Sequence, residues 1–214
     1  MNIIYLLFHG LSPYSGISKK ILHQVKGFEA CGHRVSLCTY SIADNGHRVR
    51  MINNEIIEDY GTGKPAAAKR RVSYQCIYRY AITHQVELIY VRSFHNANPF
   101  TIRLFSKLRK AGIKIAMEIP TYPYDSEYAG FPLVTRLGIQ VDKVFRKTLA
   151  KHVNAIVTFS DYHCIFGQRT IQISNGVDFD SIPLKKTVSK NTSVIHLLGV
   201  AEVHYWHGYD RLIE

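Results

Sequence analysis

Short apolar runs alternate with segments of helical periodicity along most of the chain, and this alternation most restricts the possible folds. The first apolar run, 3–8, is continuous, as in parallel strands that are covered on both faces. Apolar residues then recur at helical spacing over 17–30, and 35–40 forms a second apolar strand. A strand, a helix and a strand in this order predict a right-handed parallel crossover.

The same alternation continues to residue 173. Residues 48–60 predict a small hairpin around Asn53 and Asn54, because asparagine tolerates the left-handed backbone that a tight turn needs. The other predicted elements are helices over 66–84, 99–111 and 134–152, and strands over 88–91, 114–119, 155–159 and 170–173. Strands that alternate with helices predict an α/β fold with a Rossmann-like, doubly wound, mainly parallel sheet.

A change of composition near residue 183 predicts a domain boundary. Residues 183–193 (PLKKTVSKNTS) are polar and rich in lysine, as is typical of a linker, and 194–200 then begin a new apolar strand. The sequence therefore predicts a domain over 1–182, a linker over 183–193 and the truncated start of a second domain over 194–214.

The chain is strongly basic, with 27 lysines and arginines against 16 acidic residues and a formal charge of +11. Such an excess favours phosphate-bearing ligands or anionic surfaces. The predicted helix 134–152 is both amphipathic and basic, with Arg136, Lys143, Arg146, Lys147 and Lys151, so it can touch an anionic membrane. The alternative is a helix packed on the sheet with a solvated basic back. Nucleic acid is not a predicted partner, because no recognised binding module accompanies the charge.

Cysteine and histidine spacing predicts neither disulfides nor a metal site. The four cysteines form no CxxC pair, and His204 and His207 lack a third ligand nearby. The opening apolar run is too short for a membrane span and lacks the basic segment of a signal peptide. These features predict a cytoplasmic protein. The basic helix adds the expectation that the protein can contact the inner face of the cell membrane peripherally.

Candidate site residues follow the predicted strands at their carboxyl ends, where open α/β sheets bind ligands. Glu118 and Arg92 stand at or after such ends; a carboxylate there can orient or deprotonate a hydroxyl, and a guanidinium suits phosphate. Each residue also has a structural alternative: Glu118 can anchor the loop through its amides, and Arg92 can form a surface ion pair. The loop 120–132 holds three prolines and several tyrosines, so it is predicted to be irregular and functional.

Four segments together resemble the retaining GT-B glycosyltransferases of glycosyltransferase family 4. They are SGISKKILHQVKGFEACGHRVSLCTY at 15–40, MEIPTYPYDSEY at 117–128, ISNGVDFDSIP at 173–183 and LLGVAEVHYWHGYDRLIE at 197–214. The resemblance implies that the chain is the amino-terminal, acceptor-side half of a GT-B fold followed by the first residues of the nucleotide-sugar-binding domain.

The same resemblance implies roles for individual residues. Glu118 would face the reaction centre as the catalytic residue, and the loop after the first strand would lie against the donor phosphate and the acceptor. The implied substrate-binding residues are Gly16, Arg92, Thr121, Tyr124 and Glu127. The implied donor-side or hinge residues are Asn175, Gly176, Asp178, His207 and Gly208, with His207 standing where the family usually has lysine. The Asn175–Gly176 pair is also expected to form a turn with positive φ.

The implied activity is transfer of a sugar, with retention, from a nucleotide-sugar donor to a hydroxyl of a glycan or lipid-linked acceptor in bacterial surface polysaccharide synthesis. The nucleotide-sugar is a substrate, and no cofactor or metal is expected. The 214 residues alone are expected to be inactive, because this chemistry needs a cleft between two domains. The alternative is a non-catalytic basic module that docks on an anionic membrane or glycan.

Overall fold

The structure, a computed structural model, describes residues 1–93, 95–124, 133–176 and 178–182 together with Arg211; the side chain of Val134 is not included. The helices are α1 (Gly16–Ala30), α2 (Gly63–Val72), α3 (Gln75–Thr83), α4 (Pro99–Lys110) and α5 (Leu133–Ala150). The strands are β1 (Asn2–Leu6), β2 (Arg34–Ile42), β3 (Arg48–Ile52), β4 (Glu55–Asp59), β5 (Leu88–Arg92), β6 (Lys114–Ile119), β7 (Ala155–Thr158), β8 (Cys164–Ile165) and β9 (Gln168–Gln172).

Nine strands form the sheet, in the order β4-β3-β2-β1-β5-β6-β7-β9-β8. The six central strands, from β2 to β9, run parallel, while β3 and β4 continue one edge as an antiparallel hairpin and β8 pairs antiparallel with β9 at the other. The predicted α/β class with a mainly parallel sheet is therefore confirmed. From β1 the chain runs outward to β2, and it later returns to β5 on the opposite side of β1.

Both faces of the central strands are buried, which explains the continuous apolar run at the start of the sequence. On one face Tyr5 and Leu7 pack with Ile21 of α1. On the other face Ile4 and Leu6 belong to the larger core, which also contains buried residues of α3, α4 and α5. A strand covered on both faces has no solvent-facing position for polar residues, so its side chains are apolar throughout.

Two local features of the β-rich segments follow from backbone conformation. The predicted hairpin at 48–60 is confirmed as β3 and β4, with Asn53 and Asn54 at φ 48° and 71°. Such left-handed turns match the twist of the strands that they join. The hairpin of β8 and β9 was not predicted as a pair; its turn has φ 52° at Phe166 and 81° at Gly167.

The prediction of one helix over 66–84 is wrong. Two helices, α2 and α3, occupy this segment, and Ser73 between them has an extended backbone with φ −98° and ψ 109°. The adjacent Tyr74 is buried and donates a hydrogen bond of 2.7 Å from its hydroxyl to the carbonyl of Arg71. Burial of this aromatic ring at the junction favours the break over a continuous helix.

The helix predicted over 134–152 is present as α5, and apolar residues lie on two of its sides. Leu137, Val141 and Val144 are exposed, whereas Ile139 and Leu149 are buried. Asp142 lies on the buried side, where its carboxylate accepts a hydrogen bond of 2.8 Å from the backbone N–H of Ala97. This contact and the apolar core fix the rotation of the helix, so a second apolar row points to solvent.

The chain divides into two compact units, Met1–Val177 and Asp178–Glu214. In the second unit a 3₁₀ turn spans Phe179–Ser181. The predicted linker 183–193 and the predicted second-domain start 194–214 lie outside the described residues, apart from Arg211. No helix within the described ranges is both long and apolar enough to cross a membrane.

Gly10 is required by close packing, and this gives a stability prediction. A Cβ at Gly10 would lie 2.8 Å from the carbonyl oxygen of Tyr40, whereas one at Gly27, inside α1, would meet no atom within 4 Å. Gly10→Ala should therefore lower the free energy of unfolding by about 1 to 3 kcal/mol. Gly27→Ala should raise it by about 0.5 to 1 kcal/mol, since alanine loses less backbone entropy in a helix. Urea unfolding measures both, and an unchanged midpoint for Gly10→Ala would contradict the packing argument.

Candidate functional site

An open cleft of about 670 Å³ lies at the carboxyl ends of β1, β5 and β6. Its walls come from the loop after β1, the first turn of α1, the loop after β5 and the loop after β6, with Asn175 at one side. The cleft therefore adjoins the point where the chain leaves β1 in one direction and resumes at β5 in the other. Crevices at such points are where open α/β sheets bind ligands.

The amino terminus of α1 forms one wall of the cleft. Ser15 caps the helix, since its hydroxyl accepts a hydrogen bond of 3.4 Å from the N–H of Ser18. The hydroxyl of Ser18 in turn accepts one of 2.9 Å from the N–H of Ser12, so the loop and the helix start are tied together. The first turn of α1 contains no acidic residue. The partial positive charge of a helix amino terminus is therefore directed at the cleft without an internal counter-charge.

Two cationic side chains and two histidines also line the cleft, namely Lys20, Arg92, His9 and His95. The described residues that line the cleft include no aspartate or glutamate. The Lys20 ammonium lies 3.4 Å from the centroid of the Phe159 ring. Burial lowers the pKa of Lys20, Glu118 offsets part of this effect, and Arg92 lowers the pKa further. A bound anion would relieve that repulsion, so the wall is suited to phosphate.

The imidazole of His9 is held in one tautomer. Its Nδ1 lies 2.7 Å from the carbonyl oxygen of Gly10, and because a carbonyl only accepts, Nδ1 carries the proton and Nε2 is the acceptor. Burial lowers the pKa of His9, the bond to Gly10 offsets part of this, and Arg92 lowers the pKa further. The lowered pKa favours the neutral imidazole over the charged one.

Glu118 and Arg92 form a buried ion pair beneath the cleft. The two residues are direct neighbours in the parallel register of β5 and β6, and Nη1 of Arg92 donates to Oε1 of Glu118. Glu118 is fully buried, whereas Arg92, at 6% exposure, still reaches the cleft wall. The carboxylate thus fixes the guanidinium at the surface where a ligand would lie, and it does not line the cleft itself.

Three further polar groups complete the surroundings of Glu118. Its Oε2 accepts hydrogen bonds of 2.7 Å from the Tyr90 hydroxyl and 2.9 Å from the Gln24 amide. The Gln24 side-chain oxygen accepts one of 2.6 Å from the Tyr5 hydroxyl. Burial, and after it the charge of Glu118, raises the pKa of both tyrosines. These bonds join β1, β5, β6 and α1, so the carboxylate connects the elements that shape the cleft.

The loop after β6 supplies an aromatic wall. Tyr124 lines the cleft and is buried, with its ring centroid 4.7 Å from that of His95 and 6.3 Å from that of Phe166. Its hydroxyl donates to Oδ2 of Asp142 at 3.4 Å. The peptide bond between Tyr122 and Pro123 is cis. Tyr124 is thereby held between the cleft and α5.

The structure brings five of the predicted site residues together. They are Gly16, Arg92, Thr121, Tyr124 and Asn175, all of which line the cleft. Within the part of the chain that the structure describes, packing does not require glycine at position 16, because a Cβ there would meet no atom within 4 Å.

Two other predicted site residues, Glu118 and Gly176, do not line the cleft. Glu118 lies beneath it, and the exposed Gly176 is not part of its lining. Neither Asn175 nor Gly176 has a positive φ, so the expected left-handed turn does not form there. Asp178 precedes the 3₁₀ turn of the second unit. Glu127, His207 and Gly208 lie outside the described residues.

Lys20, His9 and His95 line the cleft but are not among the site residues predicted from the sequence. His9 directly follows the first predicted strand, just as Arg92 follows the strand at 88–91. Its position at a strand end could therefore have identified it as a site residue. Lys20 stands one turn inside α1, next to the equally basic Lys19, and only the rotation of the helix distinguishes the two. Across the described residues no group of three or more His, Cys, Asp or Glu side chains is placed to hold a metal ion.

A comparison of the chain with protein families, with curated proteins and with solved structures found no match.

The buried ion pair predicts a large effect of a small substitution. Glu118→Gln keeps the shape but removes the charge, leaving the Arg92 guanidinium buried without its partner. We expect it to lower the free energy of unfolding by about 3 to 5 kcal/mol. The control Glu29→Gln, on the exposed face of α1, should change it by no more than about 0.5 kcal/mol. Equal urea midpoints for the two variants would show that Glu118 carries no structural charge pair.

Proposed function

We propose that residues 1–182 are the acceptor-side half of a retaining GT-B glycosyltransferase. The enzyme moves a sugar from a nucleotide-sugar donor to a hydroxyl of a glycan or lipid-linked acceptor in bacterial surface polysaccharide synthesis. The observation that carries the proposal is the cleft, where the start of α1, Lys20 and Arg92 bring positive charge together. The described lining residues add no acid, and this is the electrostatic setting that a diphosphate needs.

The sheet topology supports a doubly wound reading. The chain passes through α1 on one face of the sheet between β1 and β2, and through α4 and α5 on the other face between β5, β6 and β7. The cleft lies where these two directions meet, which is where nucleotide-binding α/β folds hold their ligands.

In the proposed scheme the donor diphosphate lies against the start of α1. Backbone N–H groups there, with the Lys20 ammonium and the Arg92 guanidinium, stabilise the negative charge that grows on the departing diphosphate. Glu118 acts through Arg92 and is a positioning residue, because its carboxylate is fully buried and bonded to Arg92, Tyr90 and Gln24. This role replaces the direct acid-base role expected from the sequence.

The acceptor is proposed to lie on the side of the cleft formed by the loop after β6. Thr121 and the neutral His9 offer hydrogen-bonding groups for sugar hydroxyls, and Tyr124 offers an aromatic ring. A neutral acceptor nitrogen suits an uncharged hydroxyl better than a cation would, since the hydroxyl can donate to it.

The 214 residues alone are proposed to bind phosphate-bearing ligands weakly and not to transfer sugar. In this scheme a second domain holds the nucleotide, and joint positioning of both substrates is worth roughly 7 to 11 kcal/mol of the barrier.

The proposal is tested by titrating the chain with UDP-, GDP- and ADP-linked sugars, inorganic pyrophosphate and free sugars, following backbone amides by NMR. We expect phosphate-bearing ligands to shift amides of residues 15–20, with affinity that falls as salt rises, and free sugars to leave these amides unchanged. Lys20→Gln should weaken binding about tenfold or more, because it removes one charge-assisted contact.

Lys19→Gln is the matched control, since Lys19 is the exposed neighbour that does not line the cleft. It should weaken binding no more than about twofold, as expected for a solvated charge. An equal loss in both variants would attribute binding to net charge, contradict the assigned site and favour the docking-module alternative. Shifts of the same amides by free sugars, which carry no phosphate, would contradict the assigned site as well.

A further inference from the structure

Most of the positive charge on the helices lies on one side of the sheet. Helices α3, α4 and α5 pack on the face opposite α1, and α2 contacts α4 and β3. Lysines and arginines number four in α2, one in α3, four in α4 and four in α5. The one acidic residue in these four helices is Asp142, and it is buried. The outer surface of these helices is therefore basic without interspersed acids.

An apolar row on α5 is exposed on this basic side. Leu133, Leu137, Val141 and Val144 are between 45% and 71% exposed, although the buried residues of the helix lie on its other side. At 100° per residue the four fall within about 80° of arc, and they extend over about 16 Å. Apolar side chains that adjoin one another on one helix face suit an interaction site, whereas single scattered ones are ordinary surface composition.

A basic row runs beside the apolar one. Arg136 and Lys147 are exposed, and the helical spacing places both at about 50° from Leu133, on the flank away from Val141. Arg146 is turned inward, with its guanidinium 4.6 Å from the centroid of the Phe166 ring. We call the four apolar residues together with Arg136 and Lys147 the docking face.

We propose that the docking face binds an anionic lipid bilayer, with α5 lying in the plane of the interface. The basic row matches anionic headgroups, and the aliphatic row matches the acyl boundary just below them. A soluble polyanion would satisfy the basic row but offers nothing to aliphatic side chains. The inference goes beyond the proposed sugar transfer and does not depend on it.

Membrane docking through this face would position the cleft as well. The buried side of α5 contacts Tyr124, whose hydroxyl donates to Asp142 and whose ring lies 5.7 Å from the Arg146 guanidinium. Tyr124 also lines the cleft. One helix thus presents its outer side to lipid and its inner side to the aromatic wall of the cleft, so a lipid-linked ligand could reach the cleft from the surface on which the protein rests.

The experiment is co-sedimentation of the full chain with vesicles of phosphatidylcholine alone and of an equal mixture of phosphatidylcholine and phosphatidylglycerol, with heparin as a soluble polyanion. We expect binding to the mixed vesicles at low salt and little to the neutral ones. Arg136→Gln with Lys147→Gln should weaken binding about thirtyfold, since each charge contributes about five- to sixfold. Leu137→Gln with Val144→Gln should weaken it about tenfold or more while leaving heparin binding unchanged.

The matched control is Lys19→Gln with Leu22→Gln, which changes the same residue classes at exposed positions of α1, on the other side of the sheet. It should bind mixed vesicles like the wild type. Equal binding to neutral and mixed vesicles, an equal loss in the α1 variant, or full vesicle binding by Leu137→Gln with Val144→Gln would each overturn the proposal. Circular dichroism verifies that each variant is folded. The nucleotide titration measures binding in the cleft independently of the docking face. A failure of vesicle binding would therefore not affect the test of the proposed phosphate site.

Discussion

The ion pair of Arg92 with Glu118 links the two strands at the centre of the carboxyl edge. It places a guanidinium at the cleft wall and holds the compensating carboxylate beneath it, where Tyr90 and Gln24 also donate to it. A buried carboxylate costs several kcal/mol of desolvation unless donors surround it, so these partners are required together. The position of α1 depends on the same network through Gln24, and so does the direction in which its amino terminus points.

Positive charge is concentrated in two separate parts of the molecule. In the cleft it is local, built from a helix terminus and two side chains around a ligand-sized space. On the helices opposite α1 it is spread over a broad surface and accompanied by the exposed apolar row of α5. The first arrangement suits a single phosphate-bearing ligand and the second suits an extended anionic surface. Net charge alone could not have separated these two arrangements.

Much of the fold could be predicted from periodicity, because buried parallel strands such as β1 are continuous apolar runs and the Asn53–Asn54 pair selects a left-handed turn. The break between α2 and α3 at Ser73 could not be predicted, because the sequence has no proline or glycine there. The break follows from burial of the neighbouring Tyr74 ring. The rotation of α5 could not be predicted from the sequence either, because the helix has two apolar rows. Which row packs inward depends on the fit of the helix against the sheet. The position of Arg92 at a strand end was enough to predict that it lies in the cleft. The position of Lys20 could not be predicted, because it depends on how α1 is rotated about its axis.

We propose above all that the cleft beside α1 is a phosphate site. A crystal structure of the chain soaked with a nucleotide-sugar at a concentration well above its dissociation constant tests this most directly. We expect the diphosphate to lie against the N–H groups at the start of α1, within hydrogen-bonding distance of Lys20 and Arg92. A diphosphate bound on the outer surface of α4 or α5, with the cleft vacant, would contradict it.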